Sequence, residues 1–325
     1  MVQGRATSHT KPGLEGRPRF LFRGMAALAR LLLEASYRSA GRMAVWRVSP
    51  LMASMRGRIE AFYGFRIPGT VQVQLHGRVL RLSGETWNGV ASGVWWGGLA
   101  GFEPTETRLV AAVAPGYDVI LDIGANIGWF SLVIASANPN VRVFAFEPNP
   151  DVAPLLEQNF KTNGVQGEIL RQVISDRVGR VTFFQDRDDW ASSLAERPGT
   201  SRALDVPSVT IDDFVSLNKI RPSFLKIDVE GAEEEVFRGA QRTLLSCSPD
   251  LLFEISPSIS SVERLRAILL SCGYERFWTF ASGRVVADHD MRLTKGRNTI
   301  NYFSSVRLAD ASLRALMARL VGPTK

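Results

Sequence analysis

The stretch VILDIGANIGWFSLVIA, residues 119–135, decides the fold. An apolar run ends at Asp122, a turn holding Gly124 follows, and an apolar helical pattern starts near Ile127. A strand that feeds a helix through a glycine turn is the opening unit of an open parallel sheet, whose ligands bind at the carboxyl ends of the strands. Gly124 lets the backbone pass close to a ligand, and Gly128 allows close helix–strand approach. The helix start offers unpaired N–H groups to a carboxylate or phosphate. The spacing differs from the dinucleotide pattern G-x-G-x-x-G, and no Lys-Ser or Lys-Thr pair makes it a P-loop. Asp122 at the strand end repels a pyrophosphate and suits a cationic or amine-bearing ligand. S-adenosylmethionine, with a sulfonium and an amine, has that chemistry, and Asn126 stands in the same turn.

Outward from this unit the punctuation is regular. Strand-like runs stand at 118–123, 141–146, 169–174, 224–228, 250–255 and 298–303, and helical patterns at 127–137, 151–162, 231–246 and 260–271. This alternation predicts an α/β fold with an open, largely parallel sheet and helices on both faces. The runs at 181–185 and 206–211 read as extra strands or an extended loop. Upstream, residues 71–82 alternate apolar and polar about a Gly77-Arg78 break, a hairpin signal. The segment 87–102 is too rich in glycine for a helix interior. It reads either as a cap on the core or as an aromatic surface for stacking on sugar rings.

Several strand ends carry acids. Glu147, in FAFEPNP, lies 23 residues after Gly124, where a carboxylate accepts ribose hydroxyls. Asn149 reads as a ligand or as a cap for the following helix. Ser175 and Asp176, after the third strand, stand where an adenine amino group is met. Asp228 closes the apolar FLKI of FLKIDVEGAEEEVFRGA, residues 224–240; a helix start accounts for the acids at 233–235 but only partly for Glu230. Glu254, in LLFEIS, is costly to bury without a partner. Asp228 and Glu254 on adjacent strand ends form the best acid/base pair in the chain, able to share a proton, a metal ion or a substrate hydroxyl. A metal-free site is favoured over a Mg²⁺ ion on these two oxygen donors. Asp288-His289-Asp290 reads as a surface turn.

The 325 residues carry a net charge of +7, and it is unevenly spread. Residues 1–60 hold 11 Lys+Arg against 3 Asp+Glu, and the rest hold 28 against 29. The near-neutral body argues against nucleic acid as a partner. Two cysteines 25 positions apart make neither a disulfide framework nor a thiolate zinc site. Residues 1–18 read as a basic tail, 19–84 as an amphipathic helical and hairpin extension, 85–305 as the main domain and 306–325 as a C-terminal helix or tail. Arginines interrupt every apolar run in the extension before it reaches membrane-spanning length. The basic amphipathic pattern at 19–60 fits packing on the domain, peripheral contact with an anionic membrane surface or, being Arg-rich and acid-poor, an organelle-targeting peptide; the first two are favoured, and a cytoplasmic location, at most peripheral to the inner membrane, is expected.

The series DIGANIG (122–128), FEPNP (146–150), KIDVEGAE (226–233) and FEI (253–255) resembles the FkbM family of S-adenosylmethionine-dependent methyltransferases. GFEPTET (101–107) and VPSVTIDDF (206–214) resemble that family's sequence before the first and fourth strands. The resemblance covers about residues 85–305. It implies a class I methyltransferase fold, a Rossmann-like seven-stranded sheet with the last strand antiparallel. It also implies methyl transfer to a hydroxyl of a sugar, glycan or secondary metabolite. On that reading Asp228 is the base or orients the acceptor, with Glu254 or Glu230 in support. Asp122, Gly124, Asn126, Gly128, Glu147, Asn149, Ser175 and Asp176 then hold the cofactor. The alternatives are an RNA 2′-O-methyltransferase and a non-catalytic binding protein on the same fold.

Overall fold

Near-continuous apolar runs make strands that are buried on both faces, the mark of a parallel sheet covered by helices. Such runs form β3 (Val119–Ile123), β4 (Arg142–Phe146), β9 (Phe224–Ile227) and β10 (Asp250–Ile255), with few exposed positions among them. The computed structural model describes residues 70–83, 89–185, 202–257, 261–281, 283–294, 299–308, 311–313 and 315–316, all within one unit, Arg66–Lys325. The basic tail at 1–18 and the amphipathic pattern at 19–60 lie outside the described residues. So do Trp87 and the side chains of Trp95 and Trp96.

The remaining strands are β1 (Thr70–Leu75), β2 (Arg78–Ser83), β5 (Gly167–Leu170), β6 (Val173–Ile174), β7 (Gly179–Gln185), β8 (Arg202–Val209), β11 (Phe277–Ala281), β12 (Arg284–Ala287) and β13 (Ile300–Ser304). The main sheet runs β12-β11-β13-β10-β9-β3-β4-β5. Strands β5, β4, β3, β9 and β10 are mutually parallel, and β13 slots antiparallel between β10 and β11. The sheet reverses direction at β3, so the ends of β3 and β9 form the switch point at which open α/β sheets bind ligands. The described sheet has eight strands rather than seven, because β11 turns back through Gly283 (φ 73) into the short edge strand β12.

The helices are α1 (Gly89–Gly97), α2 (Pro104–Val113), α3 (Trp129–Ala137), α4 (Ala153–Asn163), α5 (Ile211–Asn218), α6 (Glu233–Arg238), α7 (Gln241–Cys247) and α8 (Val262–Ser271). One face of the sheet packs against α1 to α4 and the β1–β2 hairpin, through residues such as Leu82, Leu109, Leu132 and Leu156. The other packs against α5 to α8 through Phe214, Val236, Leu244 and Leu265. The hairpin forms about His76 and Gly77, both at positive φ (49° and 73°), the backbone a two-residue turn requires. No helix among the described residues is long and apolar enough to cross a membrane.

Three local expectations need correction. The glycine-rich segment contains a helix, α1, because Gly93 and Gly101 pack backbone to backbone; a Cβ at Gly93 would lie 2.5 Å from the Gly101 carbonyl oxygen. The single helix expected at 231–246 is two, α6 and α7, broken at Gly239-Ala240. There the Gly239 carbonyl accepts the Asp212 N–H at 2.9 Å, and a Cβ on Gly239 would overlap the Ser175 carbonyl. The run expected as one third strand is also divided. β5 joins the main sheet, whereas β6 pairs with β8 in a separate three-stranded sheet with β7. The latter sheet gathers 181–185 and 206–209 as strands.

Candidate active site

The loop after β3 is held rigidly over the sheet. The N–H groups of Gly124 and Ala125 both donate to the Phe146 carbonyl at 3.0 Å, and the Asn126 N–H donates to Glu147 Oε2 at 2.8 Å. Glu147 Oε1 accepts the Asn149 N–H at 2.9 Å, so this carboxylate ties the loops after β3 and β4 together. Burial pushes its carboxyl up to about 7, against the pull of these backbone donors. Gly124 has φ 71, and a Cβ there would overlap the Asp228 carbonyl oxygen, so the residue must be glycine for the loop after β3 to lie against the end of β9. Gly128, at φ 86, stands where a Cβ would press on Leu156 and Phe160 of α4.

Beneath the loop lies a buried charge cluster. Asp122 and Lys226 are direct neighbours on β3 and β9. Lys226 Nζ donates to the Gly124 carbonyl at 2.7 Å and sits 3.2 Å from Asp228 Oδ2 and 3.8 Å from Asp122 Oδ1. Burial pulls the ammonium's pKa down, but the carboxylates of Asp228, Asp122 and Glu103 more than reverse this, and the net shift is upward. Asp122 Oδ2 accepts the Ser131 hydroxyl at 2.6 Å, while its Oδ1 is buried without a hydrogen-bond partner.

A cavity of about 250 Å³ opens beside this cluster. Its walls include Asn126 from the glycine loop, Asp228 and Glu230 from beyond β9, Glu254 from β10, and the aromatic rings of Phe102, Trp129 and Phe130. Carboxylate oxygens of Asp228, Glu230 and Glu254 lie within 4.8 Å of one another. Burial, and then the neighbouring charges of Asp228, Glu230 and Glu103, push Glu254 up to about 9. The three residues expected to do the chemistry thus face one space. Their oxygens form a hard donor set of the kind a divalent cation takes.

The cofactor residues are divided. Asn126 lines the cavity and Gly124 and Gly128 shape the loop; Asp122, Glu147, Asn149, Ser175 and Asp176 lie outside its walls. Asp122 faces the protein's own cation, Lys226. Asn149 builds the turn into α4, its Oδ1 accepting the Asp151 N–H at 2.9 Å and its carbonyl the Ala153 N–H at 2.9 Å. Ser175 is buried beyond β6, with its hydroxyl 3.3 Å from Asp176 Oδ1, and Asp176 faces solvent beside Arg177.

Two residues of the cluster were missed by sequence reasoning. Glu103 precedes Pro104 at the start of α2, in left-handed backbone (φ 38), and lines the cavity. Asn301 of β13, the register partner of Glu254, donates to Glu103 Oε1 at 3.1 Å. Burial, together with Asp228 and Glu106, pushes Glu103 up to about 8. Its signal was a carboxylate inside GFEPTET, read only as part of a family pattern. Lys226 had a plainer signal, a lysine inside the apolar strand FLKI, where a charge demands a partner.

Sheet order and switch-point loop define an open α/β architecture of the Rossmann-like class. Residues 122–276 match the methyltransferase FkbM domain. It is 30% identical to the hexuronic acid methyltransferase AglP of Haloferax volcanii, over 44% of this chain and 59% of that protein. It is also 30% identical to the 31-O-demethyl-FK506 methyltransferase FkbM of Streptomyces tacrolimicus, over 39% of this chain and 60% of the relative. The chain thus spans about 60% of the length of these relatives. A crystal structure of an FkbM methyltransferase from Methylobacillus flagellatus superposes with a TM-score of 0.39, at 20% identity over 57% of this chain and 43% of that one. At that score the fold assignment rests on the strand order.

Proposed function

We propose that this chain is an S-adenosylmethionine-dependent O-methyltransferase acting on a hydroxyl of a sugar, glycan or secondary metabolite. The observation that carries the reading is Asp228, at the end of β9, ion-paired with Lys226, packed against the glycine loop and facing Glu254 across a cavity. The residues fit the cofactor. Four carboxylates, Glu103, Asp228, Glu230 and Glu254, line the cavity with one lysine, a set complementary to a sulfonium and an ammonium. Glu147 has lone pairs beyond those its two backbone donors use, which suits ribose hydroxyls. When bound, S-adenosylmethionine supplies an electrophilic methyl group.

A hydroxyl is a weak nucleophile at neutral pH, so a neighbouring base must take its proton as it attacks. Asp228 is placed for this, with one oxygen held by Lys226 and the carboxylate facing the cavity. Glu254 and Glu230 flank it and orient the acceptor. The relatives named for hexuronic acid, for 31-O-demethyl-FK506 and, as a 2-O-methyltransferase, NoeI of Sinorhizobium fredii support oxygen as the methyl acceptor.

Two measurements test the reading. Calorimetric titration with S-adenosylhomocysteine should show binding to the wild type and still detectable binding to Asp228→Asn. Labelled-methyl transfer to cell-envelope glycan should then fall about 10²- to 10⁴-fold in that variant. Label appearing in total RNA rather than glycan would replace the proposed acceptor, and failure to bind S-adenosylhomocysteine would remove the reading altogether.

A further inference from the structure

Gln185, the last residue of β7, is buried, and its side-chain amide meets the loop after β4. Its Nε2 donates to Asn149 Oδ1 at 3.0 Å and to Asp151 Oδ2 at 2.5 Å, so both amide hydrogens have an acceptor. The orientation of the amide is fixed, because an ionised carboxylate only accepts and Asn149 Oδ1 also accepts the Asp151 N–H. From Asn149 the network continues through its own N–H to Glu147 Oε1 at 2.9 Å, and Glu147 Oε2 takes the Asn126 N–H of the glycine loop. A strand of the separate three-stranded sheet is thus tied, through one asparagine, to the carboxylate that joins the loops after β3 and β4.

We propose that Gln185 is a positioning residue for the cofactor: it fixes Asn149, and through the Asn149 N–H it aims the Glu147 carboxylate at the ribose hydroxyls of S-adenosylmethionine. The inference rests on the ribose role given to Glu147 above. Two acceptor sites of Glu147 are taken by backbone N–H groups from different loops, so the direction of the others is set by where those N–H groups stand. A binding group keeps its geometry only where its supporting hydrogen bonds are themselves held. Gln185 supplies that hold from a different sheet, pinning the Asn149 side chain whose backbone carries the donor. Gln185, Asn149 and Glu147 are all buried, and a buried polar network left half-satisfied is costly. An apolar β-branched side chain would suit a buried strand end better, so the strand does not explain the amide; its two acceptors do.

The test measures S-adenosylhomocysteine binding to the full chain by calorimetry. Gln185→Met keeps the length of the side chain and removes both donors, and it should weaken binding about tenfold. Gln185→Lys gives both acceptors a donor again and should bind within about threefold of the wild type. Adding Gln185→Met to Glu147→Gln should cost less than about twofold beyond Glu147→Gln alone, because the group through which Gln185 acts is already altered. A glutamine that only stabilises the fold would show its full loss in both backgrounds. Unchanged binding in Gln185→Met, equal losses in the Met and Lys variants, wild-type binding in Glu147→Gln, or a full loss on top of Glu147→Gln overturns the inference. Should Gln185→Met fail to fold, Gln185→Glu, which keeps the shape and removes the donors, takes its place in each comparison. A wild type that does not bind S-adenosylhomocysteine sinks the cofactor reading and the inference with it, whereas wild-type binding that is indifferent to Gln185 sinks the inference alone.

Discussion

Lys226 is one residue whose loss would be felt in several places. It compensates Asp122 and Asp228 and donates to the Gly124 carbonyl, so it joins the core charge to the loop. Lys226→Met keeps the aliphatic stem but leaves buried acid without its counter-charge, a change that costs about 3–5 kcal/mol. Urea denaturation should show that loss, and Asp122→Asn in the same chain should recover part of it. Glu254 predicts a pH effect of definite sign. Its ordinary value is 4.5 and its folded value about 9, so between these the folded state holds a proton that the unfolded state has released. Stability therefore falls as pH rises through that window, by at most about 1.4 kcal/mol per pH unit for one such group. Thermal melts of Glu254→Gln between pH 5 and 9 should show a flatter profile than the wild type. At this scale the sequence was most legible where an acid follows an apolar strand, as at Asp228 and Glu254. It was least legible at Glu103, which reaches the cavity only through the packing of α2 against α3, where Trp129 Nε1 donates to Thr107 Oγ at 3.0 Å. No local pattern encodes that contact.

Helices and strands were readable where one period rules a segment, and unreadable where glycine does two jobs. In α1, composition argued against a helix because each interior glycine costs about 1 kcal/mol relative to alanine. Contact between the backbones at Gly93 and Gly101 explains why the glycines are there. Gly93→Ala should therefore destabilise the protein even though it raises helix propensity, and a lower melting temperature by a few degrees is the expected outcome. Gly239 is the same lesson in another place. An apolar period of four continues across it, from Val236 to Ala240 to Leu244, all fully buried, so pattern alone predicts one helix. The break comes from the close approach of the Ser175 carbonyl and the Asp212 N–H, two groups far off in sequence. Ser175, directly after β6, which pairs with β8, lies at this junction and outside the walls of the cavity.

For the whole molecule, the order of the central parallel strands follows from alternating elements, and the antiparallel β13 from the family resemblance. What neither conveyed is how the last strand completes the site. β13 is inserted between β10 and β11, and its Asn301 reaches across 198 positions to Glu103. Without residues 300–304, β10 would therefore present an open edge of unpaired backbone N–H and C=O groups. The Asn301 contact to Glu103 at the cavity is made only when β13 pairs with β10. A chain stopped at Asp290 should bind S-adenosylhomocysteine poorly and expose β10 to aggregation, although it contains every acid of the cluster.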